Sequence, residues 1–294
     1  MNQSEVENLK KAGEIAKQVK TFAREIIKPQ LPLKEIAEKI ENKILELGGK
    51  PAFPVNLSIN EIAAHDTPKH DDERVAEGLL KVDIGVHING FVADTAISID
   101  LENDPTNKSL IESAESALSE AIKTISQNIE LNKIGKAIEK EISSRGFQPI
   151  VNLSGHQIEQ YTLHAGLTIP NHDNSSTAKL PEGTFAIEPF ATTGHGAVRD
   201  GKPSGIYRIE SENQVRDSFA REVLKFIAEE YQTLPFCSRW LVKRFGSRAL
   251  LALSQLEKAG ILHQYAQLIE KNQGKVAQAE HTIIITKKEK IVTT

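Results

Sequence analysis

Two aspartates, Asp83 and Asp94, stand within a strongly apolar stretch, KVDIGVHINGFVADTAISID (81–100). Apolar residues occupy every second position from Val82 to Ile88, which is typical of a β-strand. A second short apolar run follows within the same stretch. Carboxylates are unusual on strands of this kind, so their spacing could serve chemistry and not only packing.

The dipeptide Asn89-Gly90 between the two runs is a strong signal for a two-residue hairpin turn, because both turn positions need a positive φ. This turn sets a register in which Asp94 lies opposite Gly85. Asp83 and Asp94 then lie on one face of the sheet as diagonal neighbours, about 7–8 Å apart at Cα. We expect Gly85 to leave an open space beside the two carboxylates.

Two carboxylates in such a position repel one another and lose hydration. They are tolerated if they share a proton or hold a cation between them. The alternative from this hairpin alone is two solvated aspartates on an exposed sheet face. The choice depends on whether the rest of the chain supplies further ligands.

Further candidate ligands lie on apolar, strand-like segments. They are His156 and His164 in SGHQIEQYTLHAG, Glu188 in FAIEPF, and Glu280 in AEHTII. Taken singly, each could be a solvated acid or a structural histidine. Together with the aspartates they form four carboxylates and one or two imidazoles, a donor set that suits Mn²⁺, Fe²⁺, Co²⁺ or Zn²⁺. Four carboxylates exceed the need of one catalytic ion, so the set favours two ions that activate a water and polarise a carbonyl.

The composition is that of an ordinary globular protein: 294 residues, 39% hydrophobic, 26% charged and a net charge of −4. This charge argues against a general nucleic-acid coat, and we expect no specific nucleic-acid partner. The single cysteine, Cys237, excludes an intrachain disulfide and a cysteine zinc cluster. The sequence shows no signal-peptide pattern and no apolar run long enough to span a membrane. We therefore expect a cytoplasmic protein without membrane attachment, and a monomer.

The pattern along the chain predicts an α+β architecture in two comparable rounds, about 1–105 and 106–294. Ser4 and Glu7 suggest a capping box at the start of the first helix. The predicted helices cover about 4–28, 33–47, 106–128 and 131–145, and the predicted strands beyond the hairpin cover 148–154, 161–169, 184–190 and the final HTIIITKK.

Residues 215–275 differ from the rest. They carry ten Lys/Arg and six Asp/Glu, a net charge of +4, which leaves −8 for the remainder. Helical patterns with breaks at Pro235 and Gly246 predict a helical insertion, similar in part to a winged helix. We expect one catalytic domain, 1–294, with this insertion inside it.

The chain resembles a known protein family. The order Asp83, Asp94, His156, Glu188, Glu280 is similar to that of the pita-bread metalloaminopeptidases, and within them to the type II methionine aminopeptidases. Nearly the whole chain takes part in the resemblance. The matching blocks are PAFPVNLSINEIAAH–TP (51–68), VDIGVHINGFVADTA (82–96), SGHQIEQYTLHAG (154–166), FAIEPFATTGHG (185–196), LPFCSRWL (234–241) and AEHTII (279–284).

The resemblance implies a pita-bread fold, with pseudo-two-fold antiparallel sheets covered by helices. It also implies removal of N-terminal methionine from nascent chains and peptides with a small second residue, using two divalent ions. Asp83 would chelate one ion, Asp94 and Glu280 would bridge both, and His156 with Glu188 would complete the other. A metal-bound water would attack the first peptide bond, with Glu188 as the proton shuttle.

The resemblance also implies a substrate site. His65 and His164 would hydrogen-bond the scissile amide and its tetrahedral oxyanion. A thioether needs an apolar slot, for which the matching positions are Phe53, Leu163, Phe190, Tyr265 and Leu268. Ile206 departs from the family, since some type II enzymes have a histidine there, and it makes the slot less polar.

Two alternatives remain. A prolidase or Xaa-Pro aminopeptidase would share the five ligands, but these enzymes add an N-terminal domain and lack the insertion. A non-catalytic relative that binds RNA or the ribosome would fit the basic insertion, but such proteins have lost ligands that are all present here. Association with the ribosome stays open for the enzyme as well.

Overall fold

The computed structural model describes all 294 residues of the chain. The helices are α1 (Gln3–Ile26), α2 (Leu33–Glu46), α3 (Pro105–Thr124), α4 (Leu131–Ser144), α5 (Ser218–Glu230), α6 (Ser238–Phe245) and α7 (Arg248–Lys258). The strands are β1 (Lys50–Pro51), β2 (Asn56–Ile59), β3 (Ile62–Ala64), β4 (Leu79–Ile88), β5 (Phe91–Asp100), β6 (Gln148–Pro149), β7 (Ser154–Ile158), β8 (Thr168–Pro170), β9 (Gly183–Ile187), β10 (Phe190–Thr192), β11 (Val198–Ile209), β12 (Phe236–Cys237), β13 (Leu262–Glu270), β14 (Val276–Gln278), β15 (His281–Ile285) and β16 (Lys290–Val292). None of the helices has the length and hydropathy required to cross a bilayer.

Two helix pairs cover two antiparallel sheets. Helices α1 and α2 bury one apolar stripe each, at the three-to-four-residue spacing of an amphipathic helix, against the sheet of β1, β4, β2 and β5. Helices α3 and α4 do the same over the sheet ordered β16-β15-β9-β7-β8 and over the β14-β10-β6 sheet. Each core contains 20 buried residues, so the two halves are matched in size. The predicted α+β, pita-bread class is confirmed.

A third core of 12 buried residues joins α5, α6 and α7 to the sheet ordered β12-β11-β13-β3. The segment predicted as a helical insertion, 215–275, is therefore helical only as far as Lys258. Its last part is a strand, β13 (Leu262–Glu270), which pairs with both β11 and β3. The division into one catalytic domain with an insertion stays a prediction.

The predicted hairpin is confirmed in every pair: Asn89 has φ +52°, Gly90 has φ +82°, and Gly85 lies opposite Asp94. The open space expected beside Gly85 is absent. A Cβ on Gly85 would lie 2.3 Å from the Phe53 ring. The missing side chain of Gly85 makes room for an aromatic ring beside the aspartates.

Three other predictions about local structure are wrong. The strand predicted over 148–154 is interrupted, because a turn at 151–152 separates β6 (Gln148–Pro149) from β7, which begins at Ser154. The capping box of α1 is formed by Asn2 and Glu5, not by Ser4 and Glu7, because Asn2 is an equally good acceptor for the first free amides. Strand 161–169 forms only over Thr168–Pro170. The preceding residues make a turn at Tyr161, whose φ is +57°, and an irregular segment that borders a cavity.

Candidate metal centre and active site

The five predicted ligands approach one another from both halves of the molecule. Asp83 and Asp94 lie on the β4–β5 hairpin of the first half. His156 lies on β7, Glu188 directly follows β9, and Glu280 lies between β14 and β15. The hairpin meets the second half through β5 and β15, where the Thr282 hydroxyl and the backbone of Asp94 exchange two hydrogen bonds.

His156 is the centre of the group. Its Nε2 lies 3.7 Å from Asp94 Oδ2 and 3.6 Å from Glu188 Oε1. One donor atom from each of Asp94, His156 and Glu280 lies within 4.8 Å of the other two. Gly155 permits this approach, since a Cβ there would lie 2.3 Å from the carbonyl oxygen of Ala186.

The carboxylates lack cationic partners. Asp83 Oδ1, Asp94 Oδ1 and Glu280 Oε1 are buried without a hydrogen-bond donor. Burial, followed by repulsion from the neighbouring acids, raises the pKa of Asp94 and Glu280 well above the usual range. Burial likewise raises the pKa of Asp83 to about 7. Within the protein, only a distant effect of Lys20 on Glu280 opposes this repulsion, and no carboxylate of the group forms an ion pair with a lysine or arginine.

The imidazole is poised as a neutral ligand. Burial, with a smaller effect of His164, lowers the pKa of His156 to about 3, so the imidazole is neutral at neutral pH and one of its ring nitrogens carries a lone pair. Buried carboxylate oxygens without donors around a neutral imidazole form a donor set that fits a divalent transition-metal ion.

A cavity of about 360 Å³ opens over the group. Asp83, Asp94, His156 and Glu188 line this cavity, whereas Glu280 does not line it and is only 1% exposed. The remaining predicted site residues all border the same cavity: Phe53, His65, Leu163, His164, Phe190, Ile206, Tyr265 and Leu268. The structure therefore brings together every residue singled out from the sequence.

Two histidines flank the entrance side of the group. The His164 ring stands edge-on to the His156 ring, with 4.5 Å between centroids. The His65 ring contacts the Tyr265 ring edge-on at 5.1 Å. Burial, with a smaller effect of His164, lowers the pKa of His65 to about 4, so it is neutral and can donate or accept one hydrogen bond.

Two polar residues of the site were not found from the sequence. Gln278 Nε2 lies 3.4 Å from Glu188 Oε2 and 3.4 Å from Glu280 Oε2, so one amide joins the two glutamates. Asn56 also lines the cavity. The available signal was a glutamine on an otherwise apolar strand two residues before Glu280, where the strand period puts both on one face.

Paired helices over antiparallel sheets, with a group of carboxylates and imidazoles beneath one apolar cavity, define a metal-dependent hydrolase of the pita-bread class. The chain belongs to metallopeptidase family M24, whose model matches residues 7–287. The methionine aminopeptidase of Pyrococcus abyssi is 52% identical over 298 residues, which cover 99% of each chain.

Solved structures share the fold. A thermophilic Arx1 has a TM-score of 0.84 at 16% identity, covering 100% of this chain and 91% of that one. The methionine aminopeptidase of Thermotoga maritima has a TM-score of 0.73 at 23% identity, covering 100% and 98%. The family and the hydrolase class predicted from the sequence are confirmed.

Proposed function

We propose that this chain is a two-metal aminopeptidase that removes methionine from the N-terminus of peptides and nascent chains. Removal of N-terminal methionine is supported by the relative that is 52% identical over its full length. The observation that carries the two-metal part is the buried group of four carboxylates, because Asp83, Asp94 and Glu280 each have one oxygen without a hydrogen-bond donor. Such a group is costly in a folded protein unless cations neutralise it.

The ions would be held by Asp83, by Asp94 and Glu280 between them, and by His156 with Glu188. Co²⁺, Mn²⁺, Fe²⁺ and Zn²⁺ all suit this mixture of oxygen and imidazole donors. When bound, a pair of such ions lowers the pKa of a water and polarises a peptide carbonyl. Gln278 orients Glu188 and Glu280 by donating to one oxygen of each.

Glu188 is our candidate for moving the proton. It lines the cavity, with one oxygen near His156 and the other near Gln278. Its pKa lies well above the usual range, chiefly because it is buried and secondly because Asp83 is near. A carboxylate in this setting can accept a proton and pass it to the leaving amine.

His65 and His164 would bind the scissile amide and the oxyanion that develops on it. Both border the cavity above the carboxylates, and His65 is neutral at physiological pH. Neutral imidazole donors aimed at developing negative charge can contribute about 10²–10³ in rate. Phe53, Leu163, Phe190, Ile206, Tyr265 and Leu268 would form the slot for the methionine side chain.

We propose a small second residue in the substrate. The metal-side wall of the cavity is closely packed, because the Phe53 ring fills the space over Gly85. Peptides that begin Met-Gly, Met-Ala or Met-Ser should therefore be cleaved faster than Met-Leu. We expect the enzyme to act in the cytoplasm. Co-sedimentation with ribosomes tests whether the basic 215–275 segment binds them.

One experiment separates this proposal from its rivals. Metal content is measured on the purified protein, and cleavage of Met-Ala-Ser is compared with cleavage of Ala-Pro. About two ions per chain with cleavage of Met-Ala-Ser supports the proposal. Preferred cleavage of Ala-Pro would indicate an Xaa-Pro peptidase, and a protein without ions or turnover would indicate a binding function. Asp71→Asn, at a position whose side chain is 72% exposed, is the matched control for each ligand substitution.

A further inference from the structure

The short loop that carries His65 has an unusual backbone. His65 follows β3 directly and has φ +57°, a left-handed conformation that side chains other than glycine rarely adopt. Such a conformation is strained and persists only where the surroundings impose it. Contacts that impose it therefore decide where the His65 ring lies over the cavity.

The residue that follows, Asp66, is held on all sides. Its side chain is only 1% exposed. Arg74 donates from Nη1 to Oδ2 at 2.7 Å and from Nη2 to Oδ1 at 3.1 Å. Gln267 Nε2 donates to Oδ1 at 2.9 Å, and the Asp66 carbonyl accepts from the Leu57 amide at 2.6 Å. Three side-chain donors and one backbone amide thus fix a single residue of the loop.

These bonds join the loop to the wall of the predicted methionine slot. Gln267 lies on β13 between Tyr265 and Leu268, which both border the cavity. The same strand pairs with β3, with Leu268 opposite Ala64. The Tyr265 ring in turn contacts the His65 ring at 5.1 Å. A shift of Asp66 would therefore move His65 relative to the slot.

The other side of the loop is anchored independently. The Thr67 hydroxyl donates to the carbonyl of Val55 at 2.8 Å, and Arg239 Nε donates to the carbonyl of Pro68 at 3.1 Å. Loss of the Asp66 contacts would consequently release the His65 side of the loop and leave its far end in place. The Asp66 contacts therefore form a local clamp, by which we mean that they hold the His65 side of the loop and not the loop as a whole.

We propose that Asp66, held by Arg74 and Gln267, is a positioning residue that keeps His65 in its left-handed conformation over the substrate site. The proposal rests on the proposed function of His65. Loss of the pair also lowers stability, because the Asp66 side chain is only 1% exposed although that of Arg74 is 40% exposed. The effect on catalysis is geometric, since a misplacement of about 1 Å can cost about 10²-fold in rate.

Asp66→Asn and Arg74→Met test the clamp. Each should lower kcat for Met-Ala-Ser by about 10- to 100-fold, with little change in KM and unchanged metal content. Asp66→Glu, which keeps the charge, should recover part of the loss. Arg145→Met, which removes an exposed ion pair with Glu141 on α4, is the matched control and should leave kcat unchanged.

A double variant distinguishes positioning from a merely structural role. If Asp66 acts through His65, then His65→Ala with Asp66→Asn should be no slower than His65→Ala alone. A double variant that is slower by the full factor of Asp66→Asn overturns the proposal. Unchanged kcat in Asp66→Asn overturns it as well.

Amide hydrogen exchange keeps the test independent of catalysis. Asp66→Asn should speed exchange at the Leu57 amide and in residues 62–66 but not in α3 or α4. Normal exchange in 62–66 would overturn the clamp even if the activity were lost. If instead the wild-type protein fails to cleave Met-Ala-Ser, the proposed function fails, while altered exchange would still show that Asp66 holds the loop.

Discussion

Buried carboxylates occur in this protein in two very different settings. Glu41, in α2, accepts from both Nη atoms of Arg239 at 2.8 Å and from Trp240 Nε1 at 2.9 Å. Glu270, at the end of β13, is fully buried and accepts from the backbone amides of residues 195, 196, 272 and 274. Every oxygen of these two glutamates is matched by a donor.

The carboxylates of the metal centre have no such partners. Asp83, Asp94, Glu188 and Glu280 repel one another, and the amide of Gln278 is the one side-chain donor that reaches Glu188 and Glu280. Burial is similar in the two settings, so depth does not distinguish a structural acid from a functional one. The difference lies in whether the fold itself neutralises the charge.

The largest expected effect follows from removing one acid of the unmatched group. Asp83→Asn should reduce turnover of Met-Ala-Ser to background and lower the metal content, because an amide oxygen is a weaker ligand than a carboxylate. In chelator-treated protein above pH 7 the same change should raise the Tm, because it removes a buried carboxylate that is ionised there. Near-normal turnover with full metal occupancy would refute the role of Asp83.

The next largest effect should come from Glu41, one of the two buried glutamates whose oxygens all accept hydrogen bonds. Arg239→Met leaves Glu41 buried without its guanidinium, and we expect a loss of about 3–5 kcal/mol in the free energy of unfolding. Urea titration measures this loss, with the exposed Arg145→Met as control. A loss below about 1 kcal/mol would mean that Glu41 finds another partner or a proton.

Glu270→Gln should have a smaller effect. Its two oxygens each accept from two backbone amides, and the new NH₂ group would face two of those donors. We expect a loss of about 1–3 kcal/mol in the free energy of unfolding, with unchanged metal content and turnover. Loss of bound metal in this variant would contradict the conclusion that Glu270 has a structural role and takes no part in the metal centre.

A further effect concerns pH. In metal-free protein the pKa of Asp83 is raised from 3.8 to about 7. The folded state then binds the proton more tightly, so stability is fully present below about pH 4 and falls as the pH rises to about 7. Bound metal needs deprotonated ligands and should abolish this decline.

Urea unfolding between pH 4 and pH 7.5, with a chelator and with Mn²⁺, measures the effect. Asp83→Asn should reduce the slope in metal-free protein. A metal-free wild-type protein whose stability rises over this range would show that the cluster is not protonated in that form.

Much of the site could be predicted because local patterns encode it. The Asn89-Gly90 turn determines the hairpin register and so the face shared by Asp83 and Asp94. Strand alternation likewise marks Glu188 and Glu280 as acids out of place on apolar strands. The matched halves of the fold follow from the two rounds of helix and strand patterns.

Other features could not be predicted because their partners are distant in the chain. The apolar run at 161–167 has the composition of a strand, yet Leu163 and His164 border the cavity. The turn there is held by a bond from the Tyr161 amide to the Gly90 carbonyl, far away in sequence. Gly85 suggests an open space until Phe53 is seen to fill it.

The sequence by itself determined which residues could bind metal and which strands carry them, because residue type and strand period are local properties. Only the tertiary structure decided which buried acids are neutralised. Arg239 lies 198 residues from Glu41 in the chain, and Gln267 lies 201 residues from Asp66. Charge compensation depends on distances of a few ångströms between such residues, and these distances are set by the packing of the whole chain.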